Sequence, residues 1–268
     1  MKKMIWTGGI ILVFFLCLAI FAPFISSYDY KEQNINLRLQ PPSSKHIFGT
    51  DEFGRDVFAR MLYGARVSIS VGFLAIAIAT LIGVSYGAIS GYYGGLIDNI
   101  MMRIVDIILT IPVLFLILML IVYLGPSISN IIIIIGLTSW TDIARIVRAE
   151  VLKIKNFAFV DAAKLIGLPK KIIIFKYIIL NISGPILVYI VFGISGAILT
   201  ESGLSFLGLG VQPPFPSWGN ILTAGKDYIH TAWWLVLFPG IFIFLTVFSL
   251  NILGEGLRDF FNPKLKRE

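Results

Sequence analysis

The sequence predicts an all-α membrane protein with six transmembrane helices, and three observations lead there. Hydrophobic residues make up 57% of the chain and charged residues only 14%, with a mean hydropathy of +0.89, whereas a soluble domain carries about 25% charged residues. The apolar residues gather into six stretches, each long enough to span a bilayer core as a helix, in which backbone groups satisfy one another. The basic residues are distributed unevenly between the connecting loops. At 268 residues, the chain has room for these spans and their loops but for no second large soluble domain.

The first stretch, 5–25, follows Met1-Lys2-Lys3 and superficially resembles a secretory signal. It exceeds the roughly 7 to 15 residues of a signal's apolar region and lacks a small-residue cleavage site, so it reads as a retained anchor. The others are 67–89, 104–124, 128–147, 178–200 and 233–253. Gly83, Gly87 and Gly91 recur at four-residue steps on the second, which lets another helix approach its backbone closely. Charged residues near a span centre cost about 2.5 to 3.5 kcal/mol each on insertion scales. Arg103 with Asp106, and Asp142 with Arg145, are therefore expected to neutralise one another within their own helices. That reading is preferred over a proton or solute relay.

Orientation follows from counting Lys and Arg. With the N-terminus inside, fifteen basic residues fall on the inner side and seven on the outer, where they share loops with seven acids. The positive-inside rule then places both termini in the cytoplasm. Two outer loops, 26–66 and 201–232, and one inner loop, 150–177, are substantial.

Several function classes are disfavoured. Cys17 is the single cysteine, so neither an intrachain disulfide nor a cysteine metal site can form. The net charge of +7 is scattered between apolar runs and reads as a topology signal, with no nucleic-acid partner expected. The run from Gly219 to Asp227 has its glycines one residue too far apart for a phosphate-binding loop, and Asp227 stands where Ser or Thr would hold magnesium. No ATP site is expected in this chain. His46 and His230 lack neighbouring ligands, so no metal site is expected. A membrane enzyme is disfavoured because no His, Cys or carboxylate cluster shares a pocket by spacing. No internal repeat calls for another architecture.

The inner loop carries the most specific signal. Phe159, Ala162, Ala163 and Ile166 recur at three and four residues, as on one face of a short helix. Gly167 suits that helix's C-terminus and Pro169 the start of a second. Such a helix pair, flanked by Lys155, Lys164, Lys170 and Lys171, suits docking into a groove on a cytoplasmic partner. It equally suits an amphipathic helix resting on anionic lipid.

The stretch Val160-Asp-Ala-Ala-Lys-Leu-Ile-Gly167, followed by Lys176-Tyr-Ile-Ile-Leu-Asn181, resembles the "EAA" loop of bacterial type I ABC importer permeases. Family members usually carry Glu at the position of Asp161, His at Tyr177 and Pro at Leu180. The acid, the paired alanines and the glycine are retained. Phe48-Gly-Thr-Asp-Glu-Phe-Gly-Arg-Asp-Val-Phe-Ala-Arg60 is similar to the "GTDxxGRD" signature of the dipeptide, oligopeptide and nickel permeases, on the DppC/OppC side of the pair. Glu201-Ser-Gly-Leu-Ser-Phe-Leu-Gly-Leu-Gly-Val-Gln-Pro-Pro-Phe-Pro-Ser-Trp-Gly219 resembles that subfamily's second signature, and Gly254 to Asp259 extends the likeness towards the tail.

The resemblance implies a permease subunit that moves dipeptides or oligopeptides by alternating access, or nickel chelates as the alternative cargo. A stand-alone channel is disfavoured, because the inner loop would then have nothing to dock with. Implied partners are a homologous DppB/OppB-like permease, two ATP-binding subunits that hold ATP and magnesium, and an extracytoplasmic solute-binding protein, all at a bacterial cytoplasmic membrane. Phe159, Asp161, Ala162, Ala163, Ile166, Gly167 and Pro169 become the docking residues. Gly49, Asp51, Gly54, Arg55, Asp56, Glu201, Pro213, Pro214 and Trp218 become the outer signature residues, with Asp51, Arg55 and Asp56 expected to form a charge network that fixes a scaffold or gate rim. Trp218, Trp233 and Trp234 suit the membrane interface. The expected divisions are 1–65 (first helix and outer loop), 66–255 (permease core) and 256–268 (cytoplasmic tail).

Overall fold

The computed structural model describes residues 2–261, so Lys264, Lys266, Arg267 and the end of the expected tail lie outside the described residues. Helices account for the architecture, and the described residues contain no strand beyond an isolated bridge between Thr50 and Asp56. Among the described residues, five helices are long and apolar enough to cross a membrane: α1 (Lys2–Ile25), α2 (Val57–Tyr93), α5 (Ile128–Ile154), α9 (Ser183–Phe206) and α11 (Trp234–Phe261). A sixth crossing exists only if α3 (Gly95–Leu109) and α4 (Val113–Leu124), bent by 78° to one another, count as one span. Short helices α6 (Ala158–Leu165), α7 (Lys170–Ile172), α8 (Ile179–Asn181) and α10 (Trp218–Lys226) complete the chain.

The bend corrects the expectation of one continuous helix over 104–124. Pro112 has no N–H to offer and disfavours the helical region at Ile111. The chain there closes with Thr110 N–H donating to Ile107 O and Ile111 N–H to Ile108 O before α4 restarts. The second span also begins ten residues earlier than its apolar run, at Val57 instead of 67. The Asp56 carboxylate caps it by accepting from Ala59 N–H at 2.7 Å.

The glycine stripe packs within this chain. At Gly83 and Gly87 a methyl group would overlap α5 at Ile143 and the Ala144 carbonyl, and at Gly91 it would sit 2.9 Å from the Arg148 carbonyl. α2 and α5 thus run in close backbone contact. α1 packs on α11, and α9 lies against both α2 and α11.

The two ends of the bundle differ. At one, the 26–56 loop, α10 and the start of α11 fold together over the first turns of α2. At the other, α6 and the irregular segment through α8 close a second apolar cluster with Ala88, Ile143, Val147 and Val151.

Two ion pairs towards that second end link different helices, which corrects both expected pairings. Arg145 reaches Asp106 across 39 residues instead of pairing with Asp142, and Arg103 is not the partner of Asp106. A further pair was not anticipated. Arg148 Nε and Nη2 each donate to the Asp98 carboxylate at 2.6 Å, and the Ser90 hydroxyl donates to the same oxygen as Nε. α3 is thereby pinned to α2 and α5 just after the turn at Gly94 and Gly95.

Candidate functional site

The signature residues divide between the two ends. At the first end, Asp51 organises the loop. Its Oδ1 accepts from Phe53 N–H at 2.9 Å and Arg55 N–H at 3.0 Å, and its Oδ2 accepts from Arg55 Nε at 2.6 Å. Arg60, one turn into α2, approaches the same oxygen at 3.4 Å. Asp51 and Arg55 therefore form the expected network, but Asp56 belongs to another. It caps α2 through Oδ1 and meets His46 Nδ1 through Oδ2 at 2.8 Å, while the Tyr28 ring stacks on His46. Asp51 thus holds its loop segment through two backbone N–H groups and Arg55, while Asp56 joins the start of α2 to His46 through one backbone N–H and the imidazole; hydrogen bonds to an ionised carboxylate are the strong form of such bonds.

Gly54 has φ +70°, and a methyl group there would overlap the Asn34 carbonyl oxygen. Gly49 approaches Gln40 O and the Trp234 indole in the same fashion. Glu52 is drawn in beside Asp51, and burial followed by the Asp51 charge raises its carboxyl above the ordinary value of 4.5, although Arg55 lies 3.3 Å away.

Glu201 is fully buried at 0% exposure. Hydroxyls hold its carboxylate: Ser205 Oγ donates at 2.7 Å and Ser68 Oγ at 3.3 Å. Each serine in turn accepts a backbone N–H, Ser205 from Val211 and Ser68 from Trp218. This small network joins α2, α9 and the start of α10, so the second signature is stapled to the helix that carries the first. Ser217 and Asn220 form a reciprocal capping box on α10, after the Pro213–Pro214 peptide, which is cis.

Two tryptophans correct the interfacial assignment. Trp218 is completely enclosed, with Nε1 donating to Met61 O at 3.2 Å, and Trp234 is buried with Nε1 donating to Thr50 O at 3.0 Å. Both are core pillars whose N–H groups tie the signature loops to helices. Only Trp233 of the three is substantially exposed.

At the opposite end, α6 forms the anticipated short helix, and its C-terminus closes as expected. Gly167 has φ +76°, its N–H donates to Lys164 O, and Leu168 N–H donates to Ala163 O. Pro169 precedes α7. The buried face differs from the one expected. Val160 and Ala163 are buried and Phe159 half-buried, whereas Ala162 and Ile166 face outwards. Leu165 and Ile166 are 88% and 73% exposed, and Phe157, at the other end of α6, is exposed as well. Asp161 pairs with Lys164 at 2.9 Å on the exposed side. A methyl at Gly167 would meet nothing within 4 Å. A knob of apolar side chains therefore projects from a base that is itself packed into the protein.

Comparisons with known proteins identify the family and the fold. Residues 83–267 match the family described as binding-protein-dependent transport system inner membrane component, and residues 1–42 match the N-terminal TM domain of oligopeptide transport permease C. The chain is 45% identical over 267 residues to the dipeptide transport system permease protein DppC of Bacillus subtilis, covering 99% of this chain and 83% of that one. It is 43% identical to the oligopeptide transport system permease protein OppC of the same organism, with 99% and 87% covered. It is 39% identical to the probable D,D-dipeptide transport system permease protein DdpC of Escherichia coli, with 96% and 87% covered. A solved chain from the MetNI methionine ABC transporter has the same fold, with a TM-score of 0.56 at 15% identity over 72% of this chain and 94% of that one. The chain therefore belongs to the binding-protein-dependent transport system inner membrane component family, the permease subunits of ABC transporters.

Proposed function

We propose that this permease carries dipeptides or oligopeptides inward across a bacterial cytoplasmic membrane, with both termini on the cytoplasmic side. The observation that carries the mechanistic part is the exposed apolar knob of α6, closed by Gly167 on a buried base. Leu165 and Ile166 present apolar surface for a partner's groove. Behind them, Val160 and Ala163 pack in one cluster with Val147 and Val151 of α5 and Ala88 of α2, so a force on the knob moves the long helices with it. Two ATP-binding subunits, holding ATP and magnesium, would grip this knob and its counterpart on a DppB/OppB-like permease. Their closure would then rock the spans between inward-open and outward-open arrangements.

At the other end, the Asp51–Arg55 network, the separate Asp56–His46 pair and the Glu201 staple form a rigid rim beside which an extracytoplasmic binding protein releases its solute. The excess of basic residues at the α6 end supports the orientation. The permeases for dipeptides and oligopeptides among the relatives support the cargo. The two family matches, over 1–42 and 83–267, support an N-terminal helix with its outer loop as a unit ahead of the permease core, whereas α11 runs on through Phe261, so the tail expected from 256 begins inside that helix.

The test is Gly167→Trp in the complete transporter. The position is open and the added backbone strain is about 1 to 2 kcal/mol, so the variant should insert and pair with its permease partner. It should lose copurifying ATPase subunits or ATP-driven uptake of a dipeptide into proteoliposomes. Normal assembly and uptake would overturn the docking assignment. Recovery of a nickel chelate instead of a peptide from the purified cognate binding protein would overturn the cargo.

A further inference from the structure

Between α6 and α9 the chain forms a second exposed face that the docking knob does not use. Lys171, Ile172, Phe175, Lys176 and Leu180 line an open hollow of about 480 Å3. The other side of this segment is anchored, with Ile173, Ile174 and Ile178 buried in the cluster beneath α6. The backbone over Ile173–Ile178 is π-helical. In an α-helix, residues five apart are set about 140° apart around the axis. A wider turn closed by i→i+5 hydrogen bonds brings them towards one side, and such turns recur at functional sites. The π turn thus helps Lys171 and Lys176 border one hollow.

The charge in the hollow is one-signed, since among the described residues no acidic side chain lines it. Neighbouring lysines are engaged elsewhere: Lys170 lies over the Tyr93 ring at 5.3 Å from its centroid, and Lys164 pairs with Asp161. The floor between the two ammoniums is apolar, with Phe175 and Leu180 exposed, and it leads within three residues into α9, one of the candidate membrane spans. Two cations over an exposed apolar floor at the end of a span match a lipid with an anionic head and an acyl chain below it.

We propose that this hollow is a headgroup site for an anionic phospholipid, its phosphate received between Lys171 and Lys176 and its acyl chain laid against Phe175 and Leu180. The inference rests on the permease reading only in placing this segment at a membrane surface. It is separate from ATPase docking at Gly167.

The experiment uses the assembled transporter in nanodiscs of phosphatidylcholine mixed with phosphatidylglycerol, with retained lipid counted by native mass spectrometry after extraction. Each surface lysine strengthens attraction to anionic lipid about fivefold, so K171Q/K176Q should reduce preferential retention of phosphatidylglycerol about 25-fold. K171R/K176R should keep it, as should Lys153→Gln, whose ammonium pairs with Glu150. Unchanged retention in K171Q/K176Q would overturn the proposal. So would loss of the ATPase subunits from that variant, which would assign the surface to protein docking, or displacement of the lipid by inorganic phosphate. Loss of docking in Gly167→Trp with phosphatidylglycerol still retained would separate the lipid site from the coupling site and support it.

Discussion

Replacing Gly54 by alanine probes the loop at its tightest point, and Gly167→Ala is the matched control because the two glycines share nearly the same backbone conformation, φ +70° and +76°. An L-residue in that region costs about 1 to 2 kcal/mol at either site. At Gly167 this is the whole effect, since among the described residues no other atom lies within 4 Å of the added methyl. At Gly54 the methyl would occupy the space of the Asn34 carbonyl oxygen. Relieving that overlap adds about 1 to 3 kcal/mol and displaces the strand of loop whose Asn34 N–H donates to Phe53 O, for about 1 kcal/mol more.

The totals are about 3 to 6 kcal/mol at Gly54 against about 1 to 2 at Gly167, out of the roughly 5 to 15 that a domain possesses. Thermal unfolding of the purified protein in detergent, followed by tryptophan fluorescence, reads the difference directly. Trp218 and Trp234 are buried at the Gly54 end and bonded to its surroundings. Midpoint shifts of about 2 to 4 °C per kcal/mol give a fall of roughly 10 °C or more for Gly54→Ala and roughly 4 °C for Gly167→Ala. Equal shifts would show that close approach to Asn34 is not what demands glycine at position 54.

Two further perturbations address charges. Arg148→Ala leaves the buried Asp98 carboxylate without its bidentate partner. Because the Arg148 side chain is 34% exposed, the cost should be about 2 kcal/mol, below the 3 to 5 typical of a fully buried pair. Adding Asp98→Asn should restore more than half of the loss, and additive losses in the same unfolding assay would refute the pairing. For Glu52, a carboxyl raised above 4.5 favours folding in its protonated form. Its contribution is full below the unfolded pKa and is lost as pH rises through the folded one. Glu52→Gln should therefore unfold at a higher temperature than wild type at neutral pH and lose that advantage on acidification below the ordinary Glu pKa. An advantage that grew as the pH fell would contradict the sign.

Much of the fold was legible because its driving forces are local. The apolar runs that mark α1, α5, α9 and α11 are long enough to be read without a partner, and the helix stop at Gly167 depends on a conformation within three residues of it. The start of α2 was less legible. Arg60 and Arg66 look like loop residues in a hydropathy profile, yet Asp56 caps a helix that takes both in, with Arg60 buried over Asp51. The bend at Pro112 had a visible signal, a proline inside an apolar run, that the length of the run obscured. The face of α6 was misread because a helix with apolar residues on both sides has two candidate faces by spacing. Val160, which packs inwards, continues the periodicity as well as Ile166, which does not.

The sequence by itself determined that this is a membrane-embedded helical permease with a short helix closed by a glycine turn around Asp161 to Gly167, since composition, run length and the order of residues in a motif are properties of the chain alone. Tertiary structure alone decided how the pieces are joined. Asp98 finds Arg148 across 50 residues, Arg145 finds Asp106 instead of its helical neighbour, and Glu201 joins Ser68 of α2 to the α10 signature. A charge or carboxylate in a low-dielectric bundle takes whichever partner can come within hydrogen-bond reach. Which groups come within reach is set by the packing of helices distant in sequence.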